Sequence, residues 1–126
     1  MLRTFQNFLD DMNIPSSFVD DRRTMIQFTI HDVNYLFQCR VQEDSAYIRI
    51  MIPEAGNVDE QNFDTLRMIY NLTTSFKLGK AYIDHGHIWF VTEAFVYDRN
   101  NTTPLFQRMI SVLHDMLNHY RTQANG

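Results

Sequence analysis

The sequence predicts an α+β fold: an antiparallel five-stranded sheet with three helices. Three observations carry that prediction. Apolar residues recur at helical spacing near both ends and in the middle of the chain. They alternate with period two in five other runs. Within the first three runs and within the last two, the joining turns are too short for parallel crossovers. The order reads α-β-β-β-α-β-β-α over a single domain, residues 1–126.

The first helix is predicted over 2–13, where Leu2, Phe5, Phe8, Leu9 and Met12 share a face. Asn13-Ile14-Pro15 stops it, because a residue before proline avoids the α region. A polar stretch, Ser16 to Arg23, leads into three half-buried strands at 24–30, 34–41 and 45–52. Their inward sets are Ile26/Phe28/Ile30, Tyr35/Phe37/Cys39/Val41 and Ala46/Ile48/Ile50/Ile52. Short polar turns near Asp32 and Asp44 favour a meander. With the apolar residues kept on one face, Ile30 is expected opposite Tyr35, Phe37 opposite Ile52 and Arg40 opposite Arg49. Residues 53–57 read as a loop.

A second helix is expected from about 59 to 75, with Phe63, Leu66, Ile69, Tyr70 and Thr73 as its stripe and Asp59 and Glu60 at its N-terminus. Gly79 marks the exit. His85-Gly86 then forms a two-residue turn that pairs Ile83 with Ile88 and Tyr82 with Trp89. Thr103 caps the last helix, Pro104 takes its first position, and Phe106, Met109, Ile110, Leu113, Leu117 and Tyr120 line it.

The 126 residues are 44% hydrophobic and 21% charged, ordinary values for a globular chain, and they include ten Phe, six Tyr and one Trp. A net charge of −4 argues against nucleic acid as the partner, since phosphate binding needs clustered Lys and Arg. The single Cys39 cannot form an internal disulfide and reads as a buried thiol. No apolar run approaches the ~18 residues that span a bilayer, and the start lacks the plan of a signal peptide. The expectation is a cytoplasmic protein with no membrane partner.

The second hairpin is apolar on both sides. Ala81, Ile83, Ile88, Phe90, Ala94 and Val96 face inward, while Tyr82, Trp89, Val91 and Phe95 face outward, interrupted by Glu93. A strand apolar on both faces needs cover on both. Those four outward residues are therefore the candidate interface, and a symmetric homodimer is its simplest partner.

The order and length resemble the type III secretion chaperones and the related YbjN-like family, the bacterial sensory transduction regulators. The closest local likeness is 58–91: an acidic helix with Asn71-Leu72 near its end, then Gly79-Lys80-Ala81-Tyr82-Ile83-Asp84, a tight turn, and Ile88-Trp89-Phe90-Val91. The likeness runs from Leu2 to Tyr120. It implies a homodimer that binds partner proteins in a chaperone-like or regulatory role, without cofactor or catalytic residues.

Other candidates are weaker. His85-Gly86-His87 lacks the third and fourth ligands zinc needs, and His114 and His119 do not share an i, i+4 face. The serines sit in no Gly-x-Ser-x-Gly turn, and four glycines form no phosphate-cradling loop. Arg40 and Arg49, if opposed, would repel unless a partner's acidic group sat between them; splaying into solvent, or pairing with a nearby acid such as Glu93, is the simpler arrangement. Two alternatives remain: a small-ligand pocket or enzyme between sheet and helices, and a toxin-neutralising inhibitor.

Overall fold

The computed structural model describes residues 1–125. The elements are α1 (Leu2–Asp11), β1 (Ser16–Phe18), β2 (Met25–Ile30), β3 (Val33–Val41), β4 (Ala46–Asn57), α2 (Phe63–Ser75), β5 (Gly79–Asp84), β6 (His87–Val96) and α3 (Thr103–Asn125). The strands form one antiparallel sheet in the order β1-β2-β3-β4-β6-β5. It has six strands, not five. The extra one, β1, is three residues lying within the stretch read as polar connection. It is too short to show an alternating pattern, and pairing along β2 is what creates it.

α1 closes with Asn13 in the left-handed region and the Ile14 N–H donating to the Leu9 carbonyl at 2.9 Å, a Schellman-type end. Its Phe5 is the centre of the core: it stacks on Phe37 at 3.9 Å between ring centroids and meets Phe28 and Phe106 edge-on. α3 adds Phe106, Met109, Leu113, Met116 and Leu117, all buried. Its first bond runs from the Phe106 N–H to the Thr102 carbonyl, so Thr102 is the cap and Pro104 sits one position further in than expected. From the sheet, Ile26, Phe28, Tyr35, Phe37, Ile48, Ile50, Ile88 and Phe90 join the same core cluster. Thr92 is buried among them, its hydroxyl donating to the Ile50 carbonyl at 3.1 Å.

The register differs from the expected one by two residues. Ile30 pairs with Val33, Phe37 with Ile50, Arg40 with Tyr47, and Arg49 with Gln38. A slip of two keeps every side chain on its face, so hydrophobic pattern alone does not distinguish the two registers; turn geometry does. His31 and Asp32, both at positive φ, make a two-residue primed turn that fixes the tighter pairing. β4 also continues past Ile52, through an irregularity between Ile52 and Gly56, so 53–57 are strand and not loop.

α2 starts at Phe63 rather than near 59. The Asn62 side chain accepts from the Asp64 N–H at 2.8 Å as its cap. Glu60 instead accepts from the Gly86 N–H at 2.8 Å and ties the β5–β6 turn down. The helix is also rotated from its expected stripe. Leu72 is its buried residue and Met68, Ile69 and Phe76 pack on the core, while Phe63, Leu66 and Tyr70 are exposed. Apolar residues surround most of α2, so spacing alone could not choose its inward side.

Candidate functional site: the helix-free face of the sheet

Alternation puts every second strand residue on the side of the sheet away from the core. The pairings arrange those residues in rows across the strands. One row is Arg40, Tyr47 and Phe95; the next is Gln38, Arg49 and Glu93; the third is Leu36, Met51, Val91 and Lys80; the last is Trp89 and Tyr82. Met51 and Val91 are buried yet stand outside the core cluster that the helices share. Neighbouring side chains on the same face cover them. No described helix supplies that cover.

The four expected interface residues therefore do face away from the helices, but not as one patch. Tyr82 and Trp89 stack at 6.0 Å and are half-buried, and Val91 is only 2% exposed. The sequence could not show that Val91 is already sheltered by side chains around it. Phe95 lies on the far side of Glu93. It is 54% exposed and packs against Tyr47 at 5.4 Å and Tyr97 at 6.4 Å. Tyr97, 76% exposed, went unrecognised, although it continues the period-two pattern from Phe95 just beyond the strand end.

Charge separates the two aromatic groups. Glu93 lies 3.5 Å from Arg49 Nε and 3.6 Å from Lys80 Nζ. Arg49 Nε is buried and makes no hydrogen bond, so this is an ion pair without alignment. The diagonal placement of Arg40 and Arg49, with Glu93 taking Arg49, replaces the direct opposition expected from sequence. Burial raises the Tyr47 phenol pKa, reinforced by the Glu93 carboxylate. Burial raises that of Tyr82 too, with Arg49 opposing. The Trp89 indole N–H is buried without an acceptor, which costs about 1–3 kcal/mol.

Two recesses open on this face, with Tyr47 as the ridge between them. One, of about 250 Å³, is lined by Gln38, Cys39, Arg40, Tyr47 and Arg49. The other, of about 240 Å³, is lined by Tyr47, Lys77, Leu78, Lys80, Glu93 and Phe95 among others. Cys39, expected to be a buried thiol, is only partly buried, and desolvation pushes its pKa up, away from the nucleophilic thiolate.

Elsewhere, a cleft of about 280 Å³ lies between α1, α3 and the β2–β3 turn, walled by Phe8, Met12, Tyr35 and Ile110 with His31 and His114 at its edge. It offers room for the small-ligand alternative, as does a wider recess of about 460 Å³ beside α2, lined by Asn57, Asp59, Asn62, Asp64 and Tyr120 among others. His85 Nδ1 approaches Asp84 Oδ1 at 2.8 Å on the exposed turn, and among the described residues no three His, Cys, Asp or Glu converge as a metal site. His114 and His119 contact Asn118 and Gln123 on their own helix. No described helix is long and apolar enough to cross a membrane.

No family model matches the sequence, and no curated protein does. A solved structure does match: "Crystal structure of YbjN, a putative transcription regulator from E. coli". The alignment covers 98% of this chain and 93% of that one, with a TM-score of 0.61 at 11% identity. The fold of this chain is YbjN-like.

Proposed function

We propose that this protein is a non-catalytic regulatory module that acts by binding other proteins on the helix-free face of its sheet. The observation that carries this is the placement of all three helices on one side, which leaves Phe95 and Tyr97 in the open, with Tyr47 half-buried between them and a row of charged residues. Exposed aromatics flanked by cations are what interface centres are made of. The likeness to a protein described as a regulator agrees with this reading, and a chaperone-like role would use the same surface.

The test is affinity capture with the immobilised chain beside its Phe95→Ser/Tyr97→Ser variant. Proteins retained by the native chain and lost by the folded variant support the reading. An unchanged set of retained proteins contradicts it.

A second reading is a homodimer. The stacked, half-exposed Tyr82–Trp89 pair favours it. Sedimentation at micromolar concentration decides it. A dimer that Trp89→Glu converts to a folded monomer supports this reading, and a strict monomer removes it.

A further inference from the structure

The chain is acidic overall, at −4, yet the part of its helix-free face around Tyr47 is basic. The two recesses beside Tyr47 are lined by four cations, Arg40, Arg49, Lys77 and Lys80, against the single carboxylate of Glu93. Glu93 is engaged by Arg49 and Lys80. Among the described residues no carboxylate lies within ion-pair distance of Arg40 or Lys77, and both are exposed.

These groups have an order across the sheet. Arg40 on β3 pairs with Tyr47 on β4, which pairs with Phe95 on β6; Lys77 lies just before β5 at the far end. Read across the strands, that is a cation, two aromatic rings and a cation. Three steps of ~4.8 Å between strands set the backbones that carry the end charges roughly 14 Å apart across the sheet. In an extended peptide, residues i, i+2 and i+4 face the same way, and i and i+4 are about 13 Å apart.

We infer that the partner segment docked here is an extended acidic peptide in which an aromatic or aliphatic residue lies midway between two acidic residues four positions apart. The central side chain packs on Tyr47 and Phe95. One carboxylate reaches the Arg40–Arg49 recess and the other the Lys77–Lys80 recess. The peptide crosses the strands at a steep angle, as in orthogonal packing, and needs no exposed sheet edge. The same positive charge disfavours a second copy stacked symmetrically over this half of the face, because Arg40 and Lys77 would meet like charges.

This inference rests on the protein-docking reading above and adds the chemistry of the ligand. The probe is a synthetic peptide with blocked ends carrying Glu-Thr-Phe-Thr-Glu between Gly-Ser flanks, titrated into the full chain by calorimetry at low and at moderate salt. Binding that weakens with salt, and about tenfold or more in Arg40→Gln/Lys77→Gln, is expected. Replacing the central Phe of the peptide by Ala should also weaken it. The control variant Arg22→Gln/Arg108→Gln removes two exposed cations that line neither recess and should leave binding unchanged.

The inference is overturned if the Lys-Thr-Phe-Thr-Lys peptide binds equally well, if the Arg40/Lys77 variant binds like the native chain, or if no binding occurs. It is overturned as well if a single-stranded oligothymidylate binds more tightly with the same dependence on Arg40 and Phe95, since the ligand would then be a nucleic acid. Capture of proteins in a Phe95-dependent way, with no affinity for the acidic peptide, would leave the docking reading standing and remove only this one.

Discussion

Truncating Phe95 and truncating Phe90 should have very different consequences, although both are phenylalanines on β6. Phe95 faces the helix-free side and Phe90 the core, with exposures of 54% and 0%. A phenylalanine side chain offers ~200 Å² to water in the unfolded chain, so folding removes roughly 90 Å² at Phe95, mostly against Tyr47. At ~25 cal/mol per Å² that is about 2 kcal/mol as an upper bound. A compact unfolded state and the methyl that alanine retains lower it to about 1 kcal/mol. Phe90 is packed against Tyr120 at 5.7 Å and is fully enclosed, so Phe90→Ala adds a cavity and should cost about 3–5 kcal/mol. Urea unfolding followed by far-ultraviolet circular dichroism measures both. If Phe95→Ala costs as much as Phe90→Ala, that face is covered in the folded chain and the reasoning from its openness fails.

Three further outcomes follow from the packing. Phe5→Ala removes the ring that joins α1 to the sheet and to α3, and should cost about 3–5 kcal/mol in the same assay; a loss below about 1.5 kcal/mol would mean α1 is not seated by that ring. Burial raises the phenol pKa values of Tyr35, Tyr47 and Tyr82 above the ordinary 10.0. The unfolded chain therefore ionises first, and their contribution to stability, fully present below pH 10, is lost as pH rises through the higher folded values. Ultraviolet difference titration should show a late component that shrinks in Tyr47→Phe and Tyr82→Phe, and a single transition centred on the ordinary 10.0 contradicts this. Gly56→Ala would drive a methyl into the Tyr120 hydroxyl at the β4 irregularity, costing about 1–3 kcal/mol, and Tyr120→Phe should recover part of that loss.

Much of this fold was legible where local chemistry and tertiary packing agree. The His85-Gly86 turn has both residues at positive φ and pairs Ile83 with Ile88 and Tyr82 with Trp89, as two-residue hairpins require. The period-two runs of β2, β3 and β4 placed the inward residues correctly except Val41, which is 54% exposed at the end of β3, even though the register was two residues off, because such a slip leaves the faces unchanged. What was not legible depends on distant partners. β1 exists only as a companion to β2, and α2 is oriented by where Leu72 and Phe76 find the core.

The candidate site divides along the same line. That Tyr82, Trp89, Val91 and Phe95 face away from the inward set follows from alternation alone. That Val91 is sheltered and Phe95 is not follows from which neighbours are tall, and this needs the cross-strand pairs. Tyr47 and Lys77 emerged only when those pairs set them beside Arg40 and Phe95.

A bound protein should touch this chain on the helix-free face of the sheet. Amide spectra of the labelled chain, recorded with and without a protein that it retains, give that contact residue by residue. The expected changes centre on Arg40, Tyr47, Arg49, Phe95 and Tyr97, with the exposed α2 residues Phe63, Leu66 and Tyr70 undisturbed. Changes confined to α2, or to the cleft around Met12 and His114, would contradict it.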